Sequence, residues 1–551
     1  MSKSEQQFVL SAFEATLHVI KELQETVQSL KDEINRLKGE QGKPDISAKN
    51  QKEKEDKGED QEGGGTLNVG ATSEQDISSE VERRRKKRKR RKRRMKFDGS
   101  QRINKERIID ITDKSDLPED IVFKGYATSH YQNLKIESEL IAVKRAIYYS
   151  ASCQKTYTAD LPEDYELGYD YSQNLKGHIL MFKFEMGLSI PKIGDFLRMN
   201  GVDISNGSIS NIILAGGAYF KAEKEAIHRN GMEAGLYTQS DTTGSRVNGE
   251  NWHTHIVGNE YYSAYFTTPH KDRQTIVDIL RCEAPRAYIL TPDTFEIYDY
   301  LKIPKKVQKL LKPLSLDYPL DEDGFVNQLS NVLTEEEQQK HQKKLLEGAY
   351  LATYKSENPL SVLLVDDAPQ YKLLALLIAL CWIHIGRHFK KLNPTLKYHQ
   401  SLLTDFLDEF WAYYHQLKAY QLAPDLDTAK ALDQAFDQLF TRQTGYEQLD
   451  ERIAKTKAKK KELLVVLKHP YVPLHNNAAE LDARKEVRYR DISFQTRNKK
   501  GTQAKDTLFT IIQTCKKLGV NAYAYILDRI TKRYQMTPLE QLIFDTANAS
   551  A

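Results

Sequence analysis

The chain has 551 residues, 40% hydrophobic and 29% charged, with 30 Tyr and 19 Phe, enough for sizeable cores in roughly three or four units; wholesale disorder is excluded. Cys153, Cys282, Cys381 and Cys515 lie far apart with no Cys-x-x-Cys, which excludes a disulfide scaffold and a paired-cysteine zinc ribbon. The net charge of +4 conceals a concentration: Arg83 to Arg94 are all Lys or Arg and Lys96 follows, so the remainder is net acidic.

In chain order, the first pattern is a heptad. Ile20, Leu23, Val27, Leu30, Ile34 and Leu37 alternate steps of three and four, with Phe13 at an earlier equivalent position. This predicts a parallel two-stranded coiled coil over 1–38 that makes a homodimer; the alternative is one amphipathic helix packed on its own body. Residues 39–107 read as a disordered linker, charged and nearly free of aromatics. Within it, 83–96 form a basic arm whose Arg83, Arg84, Arg85, Lys86, Lys87, Arg88, Lys89, Arg90, Arg91, Lys92, Arg93 and Arg94 suit a polyanion such as DNA. A solvated charged linker is the plainer reading. No basic-then-apolar leader opens the sequence, and the longest apolar run, Leu373–Ile383, is about half a bilayer span. A soluble, cytoplasmic protein without membrane contact is expected.

Globular composition begins near Ile108, and residues 108–230 read as a helical DNA-binding region. Ile190, Ile193, Phe196 and Leu197 form an apolar face that stops at Asn200-Gly201. A second helix should start near Ser205, with Ile209, Ile212 and Ile213 inward and Ser208, Ser210 and Asn211 outward. Residues 188–214 thus fit a helix-turn-helix, although any αα-hairpin has this pattern. From residue 235, GLYTQSDTTGSRV, NWHTHIVG and YYSAYFTT read as hairpin-linked strands, followed by the helix KDRQTIVDILRC. Ser361–Val365 reads as a buried strand, 371–465 as helical, and TLFTIIQTCKKLG as a last apolar helix before NAYAYILDRI. The sum is a mixed α/β sheet.

Asp241 should end the first of these strands and Asp366 the later one, while Glu480 sits in the first turn of a helix after His475-Asn-Asn-Ala-Ala. Strand ends present ligands to a crevice, and three carboxylates suit two Mg²⁺ ions, with Mn²⁺ as a substitute, for in-line phosphoryl displacement. A structural reading competes: Asn477 and Glu480 make a capping box, and Glu480 can pair with Arg484. Asp367 competes with Asp366. Cys381, His384 and His388 have zinc-ligand spacing but no evident fourth ligand. His253 and His255 read as ordinary strand residues. Arg484, Lys485, Arg488 and Arg490 surround the Glu480 helix and can face phosphates or solvent. No nucleotide loop, nucleophile elbow or HExxH occurs.

Three stretches, LCWIHIGRHFKKL (380–392), HNNAAELDARKEVRYRDISF and TCKKLGVNAYAYILDRI (514–530), resemble the DDE transposases of the bacterial IS66 insertion-sequence family, over about 108–535. The resemblance implies an α/β ribonuclease-H-like catalytic core with helical insertions, placed here at 231–500, and a C-terminal helical tail at 501–551. It implies a nucleoid-associated enzyme that binds double-stranded DNA, cuts element ends and joins them to a target, with accessory transposition proteins as possible partners. By position its triad falls on Asp241, Asp366 and Glu480. The chain departs from the pattern in three ways. Thr242 stands where the family has an acid, a cysteine-rich N-terminal segment is missing, and the interval between the first two acids is long, which assigns about 286–360 to an insertion. A catalytically inactive DNA-binding dimer of the same fold and a structure-selective nuclease are the alternatives.

Overall fold

The computed structural model describes residues 134–550 almost continuously, omitting 167, 169, 170, 315, 317 and 358. It also describes 105–109, 124–131 and the isolated positions 16, 19, 22, 23, 26 and 103. The basic arm lies outside the described residues. Of the heptad positions only Leu23 is described; it is helical and exposed.

The described residues divide into two compact units, one holding those within 103–158 and 194–204, the other those within 159–193 and 205–550. In the smaller, β1 (Ile147–Ser150) and β2 (Lys155–Thr158) form an antiparallel hairpin with Tyr148 opposite Tyr157. The helices expected from Ile108 on are absent among the described residues of 108–172, where the backbone is otherwise irregular. They begin with α1 (Gln173–Phe184), α2 (Ile190–Met199), α3 (Asn206–Tyr219) and α4 (Lys221–Ala234). The chain passes between units within α2 and turns at Gly201, whose φ of +84° favours glycine. Ser205 caps α3 by accepting from the Ser208 N–H at 3.0 Å. Ile209 and Ile213 are buried and Asn211 is exposed as expected, but Ser208 and Ser210 are half-buried, and the Ser208 hydroxyl bonds to the cap.

The core of the larger unit is a sheet of five strands: β3 (Thr238–Val247), β4 (Glu250–Gly258), β5 (Ser263–Thr268), β6 (Leu360–Val365) and β7 (Ala375–Leu380). Their order is β5-β4-β3-β6-β7, antiparallel through the first three and parallel from β3 to β6 to β7. With its flanking helices this is roughly a ribonuclease-H-like core. The stretch expected to be helical from 371 thus contains a strand: a continuous apolar run satisfies a buried strand as well as a helix, and pairing with β6 decides it. Val362 and Leu364 of β6 pack with Tyr237, Ala379, Val465 and Val472 in one apolar cluster.

Between β5 and β6 lie α5 (Arg273–Leu280), α6 (Pro292–Tyr300), α7 (Lys305–Leu311), α8 (Glu322–Ser330) and α9 (Glu335–Ser356). After β7 come α10 (Trp382–Lys390), α11 (Lys397–Leu422), α12 (Leu426–Phe440), α13 (Glu447–Lys457) and α14 (Lys460–Leu463). The chain ends with α15 (Asn477–Ser493), α16 (Lys499–Lys517), α17 (Ala522–Ile530) and α18 (Leu539–Ser550). Helix α16 is part of the core rather than a tail. Asp506, Thr510 and Thr514, one turn apart, accept from the backbone N–H groups of Thr267, Tyr265 and Ser263 at 2.7, 3.1 and 3.3 Å. Four residues of helix rise about 6.0 Å and two of strand about 6.8 Å, so the match holds over two steps and three contacts and closes the edge of β5.

Candidate metal centre

Asp241 is the fourth of ten residues in β3 and not its end. The expectation fails because β3 continues against β4 as far as Val247. On its other side, however, pairing with β6 stops after Thr238↔Leu363 and Gln239↔Leu364. The same register continued by two residues sets Asp241 abreast of Asp366, the residue that follows β6. Glu480 comes from the first turn of α15. That helix is stitched to β3 by Asn476 Nδ2 donating to the Ser240 carbonyl at 2.8 Å and the Ala479 N–H donating to Gln239 Oε1 at 3.4 Å. The cap residue is Asn476 rather than Asn477, and it makes no side-chain cap bond: its Nδ2 goes to β3, and among the described residues its buried Oδ1 has no hydrogen-bond partner.

The three acids feel one another. Burial first, then the nearby Asp366 and Glu480, raise the Asp241 carboxyl to about 7, against the lowering effect of the Thr242 N–H at 2.8 Å and of Arg387. Asp366 accepts from the Ala368 N–H at 3.1 Å. Its neighbour Asp367 is engaged differently, in ion pairs with Lys459 and, at 3.8 Å, with Lys372.

Cys381, His384 and Glu480 each bring one donor atom within 4.8 Å of the others, and such a cluster can hold a divalent metal. It differs from the Cys381-His384-His388 spacing, whose third residue, His388, lies among Arg452, Lys391, Lys459 and Asp367 instead. Burial pushes the Cys381 thiol up to about 11, and the sulfur accepts the Asn476 N–H at 3.3 Å. A protonated thiol is a poor zinc ligand, whereas carboxylate oxygens suit a hard ion. Burial lowers the His384 pKa, which favours the neutral ring. Its Nε2 accepts from Arg387 at 3.3 Å, which leaves the proton on Nδ1, 3.5 Å from Glu480 Oε1 and without a hydrogen bond.

Behind Asp241, the Thr242 hydroxyl meets His255 Nδ1 at 3.1 Å and the buried Tyr371 hydroxyl at 2.9 Å. Burial first, with Asp241 and Asp366 also contributing, raises the Tyr371 pKa. It is a neutral hydroxyl beside the acids. His255, expected to be an ordinary strand residue, belongs to this network. Of the basic residues on α15, Arg488 is exposed and Arg484 half-buried. Lys485 turns to α1, donating to the Glu185 carbonyl at 2.6 Å, and Arg490 donates to the Gly244 carbonyl. Arg387 was not singled out by sequence reasoning. Its place one turn after His384 in the Cys-Trp-x-His segment is the signal that points to it. Cavities of about 490 and 530 Å³ lie beside α4, and none of the three acids lines either.

A sequence model described as the transposase IS66 family matches residues 332–504, which include Asp366 and Glu480 but not Asp241. An uncharacterised protein, y4jO, of Sinorhizobium fredii is 31% identical over 319 residues, covering 57% of this chain and 98% of that protein. With the sheet order, the acid at the end of β6 and a relative matched over nearly its whole length, the chain belongs to the transposase IS66 family.

Proposed function

We propose that this protein is a DNA transposase that cuts the ends of its element and joins them to target DNA, with Asp241, Asp366 and Glu480 as the metal ligands. Family membership implies engagement with DNA. The observation that supports the chemistry is that Asp366 and Glu480 lie within electrostatic reach of Asp241, whose carboxyl is raised to about 7 by burial first and then by those two acids. Acids that repel one another within a folded core are relieved by cations. Two Mg²⁺ ions, when bound, would supply charge neutralisation and activation of a water and then of a DNA 3′-hydroxyl. The chain's own part is to aim its carboxylates. Asp241 and Asp366 are set by the β3–β6 register, Glu480 by the stitch from α15 to β3, and Tyr371 and His255 brace Thr242 beside Asp241.

In this reading 1–38 pair two copies, the arm 83–96 grips phosphates without sequence preference, α2 and α3 approach a groove, and Arg488 faces the backbone near the cut. Asp366 is preferred to Asp367 because the latter already has two lysine partners.

The test is Mg²⁺-dependent cleavage and joining of labelled DNA that carries the sequences flanking the gene. Wild type should cut at defined end positions. Asp241→Asn, Asp366→Asn and Glu480→Gln should each lower cleavage by about 10³-fold or more, the equivalent of several kcal/mol of transition-state stabilisation. End binding without cutting, with or without accessory factors, would move the protein to the inactive DNA-binding class.

A further inference from the structure

We propose that Arg387 holds the metal's place at Glu480 and passes to a DNA phosphate when a divalent cation takes that carboxylate. The inference rests on Glu480 being a metal ligand, as read above. The two terminal nitrogens of Arg387 donate to the two oxygens of Glu480, at 3.3 and 3.0 Å. Such a fork covers both acceptor oxygens of one carboxylate, the atoms a metal would ligate. Seated on both oxygens, the guanidinium does at that carboxylate what a bound cation would do.

The pair is also built to be given up. Arg387 is 44% exposed and Glu480 16% exposed, and ion pairs open to solvent are weakly held. Among the described residues, the hydrogen bonds of Arg387 go to Glu480 and His384, so its release breaks into no buried network. A divalent ion at Glu480 would repel the guanidinium, and the planar fork that fits a carboxylate also fits a phosphate. The phosphate nearest the metal ligands is the one to be cut.

Full-length wild type, Arg387→Gln and Glu480→Gln would be titrated calorimetrically with Mn²⁺ after removal of metal. Their binding to a random-sequence duplex would be followed over a salt series, in Ca²⁺ and in EDTA. Arg387→Gln should bind Mn²⁺ about two- to fivefold more tightly, the equivalent of one exposed ion pair released. In Ca²⁺ its salt slope should fall by about one phosphate contact, and in EDTA it should match wild type. Unchanged Mn²⁺ affinity in Arg387→Gln, or the same loss of slope in both media, overturns the handover alone. Equal Mn²⁺ binding by wild type and Glu480→Gln removes Glu480 as a ligand and overturns both readings.

Discussion

Glu480 and Glu486 stand on one helix, and their surroundings are opposite in kind. Glu486 is almost wholly buried, and its Oε1 accepts from Lys505 Nζ at 2.7 Å and from the Ser245 hydroxyl at 2.8 Å. Lys505 in turn reaches the hydroxyls of Ser245 and Thr254 at 3.3 and 3.4 Å, which ties α15 and α16 to β3 and β4. Glu480 has instead the acid Asp241 within electrostatic reach, His384 at 3.5 Å and a half-exposed arginine for a partner. An acid answered by a buried cation is part of the scaffold. One placed near another acid leaves negative charge over, and that excess marks where a cation belongs.

The sharpest way to break this contrast is to remove one partner from each region. Lys505→Met should lower unfolding free energy by about 3–5 kcal/mol, because it strands a buried carboxylate. Glu480→Gln should change it by less than about 1 kcal/mol. Urea denaturation measures both, and equal losses would mean that the two acids do the same structural work.

The effect of pH should be of the same order as the Lys505→Met loss. The Asp241 carboxyl titrates near 7 in the folded chain against an ordinary value of 3.8. Between these values the folded state holds a proton that the unfolded state has lost, so metal-free stability should fall as pH rises from about 4 to about 7. Asp241→Asn should flatten that decline in melting curves taken in EDTA. A decline of equal size in the variant would assign it to other groups.

The smallest effect is expected at Asp367. Asp367→Asn gives up the pairs with Lys459 and Lys372, at a cost of about 1 kcal/mol. Cleavage should stay within about threefold of wild type. A loss as deep as that of Asp366→Asn would return Asp367 to the list of candidate ligands.

What the sequence discloses follows from which interactions are local. The strands over 238–268 are legible because Tyr, Thr and Val runs alternate with turn residues, and the break at Gly201 because only a left-handed turn fits there. β7 is not legible, since its apolar run suits two periodicities and its partner lies earlier in the chain. Glu486 and Lys505 read as surface charges, because nothing in KEVRYR or TQAKDT announces that the two helices bury them against each other. The three acids emerge from the family resemblance rather than from spacing. Arg387 carries one local signal, its place one turn after His384, and its pairing with Glu480 emerges only in three dimensions.

Between α5 and β6 the described residues make four α-helices before the chain returns to the sheet. For a closed excursion, each doubling of length adds only about 0.6 kcal/mol of closure entropy. The number of residues separating Asp241 from Asp366 is therefore almost free to drift, while the pairing of Thr238 with Leu363 and Gln239 with Leu364 keeps the two carboxylates abreast. Distance along the chain is a poor ruler for such a pair, and ladder position a good one.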